Sequence, residues 1–530
     1  MSKKLHILLP AIILLLLLAA CQSPQVQQEN LTISLTADGS TRQLSLPAGS
    51  SVAEALAAAD LALGQTDRVD PPSYTILSAG ASITVTRVRE EFETQQVVLP
   101  FERQELRNES LPAGETRLVQ AGTNGLKEIT IRHVLENNVE TSSSEVSETV
   151  LQPPTPEIVM VGVQSPFAPL PIPGKLAYLT GGNAWIMSDS TSIRVPLVTT
   201  GDLDGRVFAL SPDGRWLLYT RKSTRPADQE INTLWVVSTS GQSPAPINLH
   251  VANVVHFADW QPGQSYAIAY STVEPRADSP GWQANNDLYL LAFDGKTPGK
   301  ANKIMDTSPG GIYSWWGMTF AWSPDGASLA YSRPDAVGTV DLKKGLLNPL
   351  LEITPLNTHS TWAWTPGLVW GADSRTLFVV THAPPAGLVS PEDSPLFDLT
   401  ALSLASGANV DLVPQAGMWA YPSSSARRKE GDQETYRIAY LQSIFPSQSE
   451  TSRYRLTVMD RDGANRQTLF PAEGLTGLDP QTAVWAPSPL PSGSDFAAVV
   501  YQGNLWIIDA ISGQSQQVTG DGLTSRIDWK

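Results

Sequence analysis

The chain has 530 residues, 41% of them hydrophobic and 17% charged, with a formal net charge of −16. That length and balance suit several folded domains and exclude a disordered tail-like protein, and an acidic surface of this kind repels nucleic acid and anionic polymers. Gly 39 and Pro 41 beside 15 Trp point to a turn-rich β protein whose aromatic residues recur for a structural reason.

Lys3 and Lys4 precede an apolar run over residues 5–20, too short for a bilayer span of about 20 residues and patterned as a signal peptide, residues 1–20. Its end, Leu18-Ala19-Ala20-Cys21, resembles the lipobox of bacterial lipoproteins, and Cys21 is the single cysteine of the chain. The resemblance implies cleavage before Cys21, lipid attachment on its sulfur, and extracytoplasmic anchoring to a bacterial membrane, several acyl chains making the anchor stable. Residues 21–29 read as a tether.

Within residues 30–88, two alternating runs flank Asp38-Gly39, a hairpin turn signal. Ser51-Val52-Ala53-Glu54 reads as a capping box, with Val52, Leu56, Ala59 and Leu63 at helical spacing and Gly64 placed to close the helix. A strand over 83–88 completes a ββα…β order, that of a small β-grasp module. It resembles the ubiquitin-like modules that precede cell-wall domains in resuscitation-promoting-factor proteins. Residues 89–163 carry Leu111-Pro112-Ala113-Gly114, Gly122-Thr123-Asn124-Gly125, Glu136-Asn137-Asn138-Val139 and Ile158-Val159-Met160-Val161-Gly162. They resemble the five-glycine (G-five) cell-wall family, with Asn138 where the fifth glycine is expected; Asn is the non-Gly residue most tolerant of φ > 0. The resemblance implies contact with polymers containing N-acetylglucosamine, and a stiff β spacer is the alternative. Pro166, Pro169, Pro171 and Pro173 then define an extended linker over 164–174 and a domain boundary.

From 175 to 530 one corner returns: Leu210-Ser211-Pro212-Asp213-Gly214, Trp260-Gln261-Pro262-Gly263, Trp322-Ser323-Pro324-Asp325-Gly326, Trp370-Gly371-Ala372-Asp373, Tyr421-Pro422-Ser423, Trp485-Ala486-Pro487 and a final Trp529. A period near 50 with several short strands per unit predicts a mainly β fold built as a propeller. Residues 176–179 supply a second strand without a first, and 525–529 a first strand without a successor, so joining them predicts seven blades. The repeats resemble TolB-like propellers with Pro-Asp repeats, a group that is usually six-bladed, so six is the alternative count.

Strands alternate in direction, so the long segments 222–232, 273–285, 307–317, 354–367, 382–395 and 442–452 fall on one face, and function concentrates on such loops. Trp282, Tyr313, Trp315, Trp316, Trp362 and Trp364 make this face the candidate binding surface for a glycan or a protein partner. Capping of the core is the competing role for them. No G-x-S-x-G or H-E-x-x-H motif is present, and His133, His250, His256, His359 and His382 lack ligand spacing. Asp460-Arg461-Asp462-Gly463-Ala464-Asn465 lacks the distal Glu of an EF-hand loop. The expectation is therefore a non-catalytic envelope lipoprotein without cofactor or metal. The alternative is a carbohydrate-active enzyme using Asp259 and Asp528 as channel carboxylates.

Overall fold

The structure is a computed structural model that describes residues 29–108, 111–163, 167–241, 244–263, 266–308, 313–384, 389–430 and 433–530. The signal peptide and lipid attachment at Cys21 lie outside the described residues, as do most of the tether and Pro166 of the linker. The chain divides into two compact units, Met1–Gln104 with Gln120–Glu157, and Glu105–Val119 with Ile158–Lys530. Among the described residues no helix is long and apolar enough to cross a membrane.

The first unit opens with β1 (Asn30–Ala37) and β2 (Ser40–Pro47), joined by the Asp38-Gly39 turn with φ of 52° and 75°. The helix α1 (Val52–Ala58) follows, then β3 (Arg68–Asp70) and β4 (Ser82–Thr86); the sheet order is β2-β1-β4-β3, with β4 parallel to β1. The predicted capping box forms, Ser51 Oγ accepting from Glu54 N and Glu54 Oε2 from Ser51 N. Val52, Ala55 and Leu56 bury against Ile33, Leu35, Ile83 and Val85. The helix ends a turn before Gly64. Asp60 takes the left-handed step at φ 55°, and Leu61 N bonds Leu56 O, which satisfies the last carbonyls without a glycine.

Three long strands follow in the same unit: β5 (Val88–Leu99), β8 (Gly125–Glu136) and β9 (Val139–Gln152), in the order β5-β8-β9. Glu136 pairs with Val139 across Asn137 and Asn138, whose φ values of 51° and 67° make the left-handed turn that Asn tolerates. The shorter strands β6 (Arg103–Asn108), β7 (Thr116–Gln120) and β10 (Glu157–Gly162) form a second sheet, β6-β10-β7, that falls almost wholly in the second unit. Gly162 ends β10 where a Cβ would run into the Pro112 carbonyl oxygen.

The extended backbone expected from the prolines of 164–174 is drawn into the C-terminal region over its described part. Residues Pro171–Thr180 are one strand, and Leu170 exchanges hydrogen bonds with Thr191. The apolar residues between the prolines drive this. Ile172 is buried in a cluster with Leu106, Ile158, Met160, Leu176 and Met187, so the second five-glycine sheet and the C-terminal region share a core.

Among the described residues, seven sheets of three or four strands fill the rest, with two small two-stranded hairpins, Val273–Pro275 with Trp282–Ala284 and Arg428–Glu430 with Gln433–Thr435. Sheet I joins Asn183–Val198, Pro171–Thr180 and the C-terminal strand Thr524–Trp529. Leu176 pairs with Trp529 and Ala177 with Asp528, so residues from both ends of the region share one ladder. Sheets II to VII each have four strands in sequence order along the sheet. Their first strands are Leu203–Leu210, Ala258–Trp260, Thr319–Trp322, Leu368–Trp370, Ser423–Ser424 and Val484–Trp485. The first strand of II touches those of I and III, that of V touches those of IV and VI, and that of VII touches those of VI and I. Sheets III and IV meet through Phe257 and Phe320, ring centroids 5.2 Å apart.

The recurring tryptophan has a repeated job between sheets. Trp260 Nε1 donates to Ala209 O at 3.1 Å, Trp370 Nε1 to Ala321 O at 2.9 Å and Trp485 Nε1 to Ser423 O at 3.2 Å, each reaching the first strand of the preceding sheet. The corner after it is held internally. Ser323 Oγ donates to Asp325 Oδ1 and accepts from Ser328 N, and Asp325 Oδ1 accepts from Ala327 N. At two corners the aspartate also takes a tyrosine hydroxyl from the next sheet, Tyr266 on Asp213 and Tyr436 on Asp373, both at 2.7 Å. Tyr421 departs from the pattern, since it precedes its strand at φ 36°.

Candidate functional site

Loops between second and third strands and between successive sheets gather around sheets IV to VI and enclose a groove of two contiguous depressions. One, about 470 Å³, is lined by Tyr313, Trp316, Leu356, Trp362 and Glu392 among others. Its neighbour, about 380 Å³, adds His359, Phe397, Met418, Gln448 and Glu450. Leu356, Asn357, Thr358 and Asp393 line both, so the groove is continuous. Each volume lies in the ~300–1,000 Å³ range usual for small-molecule sites.

Short 3₁₀ turns shape its walls: Ser314–Trp316, Pro391–Asp393 and Pro446–Gln448, the last two begun by a proline that fixes φ at the first position. The floor is tied from below by His382. Its Nδ1 lies 2.9 Å from Thr354 O and its Nε2 2.7 Å from Ser394 O, so one imidazole joins the segments bearing Asn357 and Asp393. Asn357 N also donates to Glu392 O at 2.8 Å, and Thr358 Oγ1 to Trp362 O at 2.6 Å. Asp393 accepts from Ser390 Oγ at 2.7 Å and pairs with His359 Nε2 at 3.0 Å. The Ser390 hydroxyl first, and His359 with it, hold its carboxyl below the usual range.

Of the six aromatic residues singled out from the sequence, the structure brings Tyr313, Trp316 and Trp362 to the groove. Trp362 is backed by Trp419, stacked at 5.9 Å and 29°, and Trp419 by Tyr421 at 5.8 Å and 24°. Trp282 and Trp315 do not line the groove. Trp282 pairs with Pro275 in a small hairpin and sets its ring edge-on to His256 at 4.4 Å, while Trp315, 38% exposed, lies under the Arg276 guanidinium. Trp364 belongs to the core. It is 1% exposed, packs on Phe397 and donates to Met418 O, so capping of the core is its role and ligand contact is closed to it. Sequence reasoning missed Asn357, Thr358, Glu392, Asp393, Gln448, Glu450 and Trp419. The face assignment pointed at most of their loops, but no periodicity marks individual polar residues there.

The carboxylates Asp259 and Asp528 do come close enough to feel one another, together with Lys530. Asp528 Oδ2 accepts from Leu210 N at 2.6 Å and Oδ1 from Trp529 N at 2.9 Å, with Lys530 Nζ 3.7 Å away. Asp259 Oδ1 accepts from Trp260 N at 2.8 Å. Burial pushes the Asp259 carboxyl up to about 6, against the pull of Lys530 and helped by Asp528. These acids are spent on stitching first strands to their own and neighbouring backbones. Asp460, Asp462 and Asn465 form a closed turn, Asn465 donating to Asp460, and no group of acids and histidines suited to a metal occurs among the described residues.

Comparison with known proteins gives the amino-terminal part its families. Residues 90–164 match the G5 domain and residues 33–73 the G5-linked ubiquitin-like domain. A G5 domain and its ubiquitin-like companion are thus present. The chain is 29% identical over 156 residues to resuscitation-promoting factor Rpf2 of Corynebacterium glutamicum, covering 29% of this chain and 41% of that protein. It is likewise 29% identical over 147 residues to RpfB of Mycolicibacterium smegmatis, covering 28% and 40%. The chain therefore spans about two fifths of the length of these curated relatives. Among solved structures, an oligogalacturonate lyase from Vibrio parahaemolyticus covers 67% of this chain and 94% of its own at 12% identity and a TM-score of 0.36, a likeness too loose to bear on activity.

Proposed function

We propose that this chain is a non-catalytic cell-envelope lipoprotein whose C-terminal region binds a glycan in the groove between sheets IV and VI. Cys21 carries the lipid, outside the cytoplasm. The ubiquitin-like and G5 modules make the wall contact or the stalk, and N-acetylglucosamine polymers are the ligand class that the G5 resemblance implies. The C-terminal region is a seven-bladed propeller of TolB-like kind. Supporting that count are the seven sheets, the succession of first-strand contacts that runs from sheet VII back to sheet I, and the ladder shared by Pro171–Thr180 and Thr524–Trp529.

One observation carries the glycan reading. The groove combines three aromatic rings, one of them held in place by a stack behind it, with amide, hydroxyl and carboxylate groups from three connected loops. Flat apolar faces flanked by fixed hydrogen-bonding groups are what a sugar ring, apolar on its faces and polar at its rim, requires. An enzyme using Asp259 and Asp528 is the competing reading, and the backbone bonds that occupy both carboxylates count against it.

The test uses the chain from residue 21 with Cys21→Ser, screened on immobilised cell-wall oligosaccharides. Trp362→Ala is expected to weaken retention at least tenfold, about 1.4 kcal/mol or more, measured well below a melting temperature that the lost stack on Trp419 lowers. Retention unaltered by Trp362→Ala sinks the groove reading. Turnover of the same sugars that disappears in an Asp259→Asn, Asp528→Asn variant sinks the non-catalytic one.

A further inference from the structure

Resting on the reading that the groove binds a glycan, we propose that its preferred ligand is an amino sugar carrying free, protonated amines, a polymer of glucosamine rather than of N-acetylglucosamine or of an acidic sugar. The lining of the two depressions holds Glu392, Asp393 and Glu450 and neither lysine nor arginine. Its one basic side chain, His359, is already engaged by Asp393. An anionic glycan therefore meets three carboxylates and no free cation, and like charges at close range exclude it. A neutral sugar is accepted by the rings but leaves the carboxylates without a partner.

The carboxylates are not equivalent. Asp393 is consumed by Ser390 and His359 and serves the wall. Among the described residues no hydrogen bond or ion pair engages the Glu392 or Glu450 carboxylate, and both residues are exposed. They flank the shared stretch of Asn357 and Thr358 from different loops, the 391–393 turn and the 446–450 segment. Two unengaged negative charges thus border a groove whose other end offers Tyr313, Trp316 and Trp362. A chain of pyranose rings with ammonium groups matches both features at once, the rings on the aromatic faces and the amines on the carboxylates. The net charge of −16 works in the same direction at long range.

The experiment compares a glucosamine tetramer, an N-acetylglucosamine tetramer, a hexuronic acid tetramer and tetralysine. All are titrated into the Cys21→Ser chain from residue 21 at about pH 6, below the usual range of an amine. The glucosamine tetramer is expected to bind roughly three- to tenfold tighter than its N-acetylated counterpart, two exposed charge pairs being of modest size. The double variant E392Q/E450Q is expected to abolish that advantage, bringing the ratio of the two affinities to about one whatever it does to the N-acetylated affinity itself. Equal or tighter binding of the N-acetylated tetramer, or an advantage that survives E392Q/E450Q, overturns the amine preference and leaves the groove reading standing. Tetralysine binding as tightly as the glucosamine tetramer overturns it as well, since charge without rings then suffices. Sugar binding that survives Trp362→Ala belongs to another part of the chain and overturns both.

Discussion

At the scale of single residues, Asp259 has the sharpest consequence. Its carboxyl sits near 6 in the folded chain and near 3.8 when unfolded, burial being the main cause. Between about pH 4 and 6 the folded state therefore holds a proton that the unfolded state lacks. Stability falls as pH rises through that window and is level above it. Asp259→Asn keeps an oxygen for the Trp260 N–H and removes the ionisation, so it should raise the melting temperature at pH 8 and leave it alone near pH 4. A shift of this size corresponds to about 3 kcal/mol at most. The measured gain should be smaller, because Asp259 is only partly buried and solvent screens its charge. Parallel pH profiles for the two proteins, followed by thermal melts, would refute the assignment.

At the scale of elements, the tryptophan corners divide into those whose indole is hydrogen-bonded and one whose indole is not. Trp370 donates to Ala321 O, whereas the buried Trp322 Nε1 has no partner among the described residues. Replacing either by Phe removes similar ring volume. Trp370→Phe additionally leaves a carbonyl without its donor, so it should cost about 1 kcal/mol more than Trp322→Phe in denaturant melts. Equal costs would show that the indole bond adds nothing. The corners were legible in the sequence because Pro, Asp and Gly at fixed offsets have a local cause, and the strands beside them because buried β-strands are written as apolar runs. The bonds between sheets were not, since Ala321 and Ser423 are chosen as acceptors by sheet stacking and carry no mark in composition. The same distinction separates Trp362 from Trp364. Two residues apart in one loop, they look alike as sequence, and only packing on Phe397 sends one into the core. The linker divides in the same way: its prolines signal the extended backbone, but its burial is decided by Ile172, which no local pattern marks.

At the scale of the whole molecule, the strand Thr524–Trp529 is where local and global order meet. Its ladder with Pro171–Thr180 joins residues some 350 positions apart, and loop-closure entropy makes such a contact worth forming only if much else depends on it. Trp529 is 2% exposed, sits in the cluster that also holds Leu106, Ile158 and Ile172, and donates Nε1 to Pro173 O at 2.6 Å. Asp528 reaches Leu210 N in sheet II and Arg526 Nε donates to Gly205 O, so the strand also binds its neighbour on the other side. Ending the chain after Gly520 should therefore uncover the ladder edge of Pro171–Thr180, which invites intermolecular pairing, and remove the contacts that sheets VII and II each make with the C-terminal strand. If the seven sheets form one ring, the effect is not confined to sheet I. Tryptophan fluorescence from sheets IV to VI and far-ultraviolet circular dichroism should lose their common transition and melt at a lower temperature, with increased aggregation. A truncated chain in which those distant sheets melt unchanged would mean that they are stabilised only by their nearest neighbours, as in an open array. The groove at sheets IV to VI would then have to keep its shape without closure, and its affinity for the glucosamine tetramer in the truncated chain would distinguish the two architectures a second time.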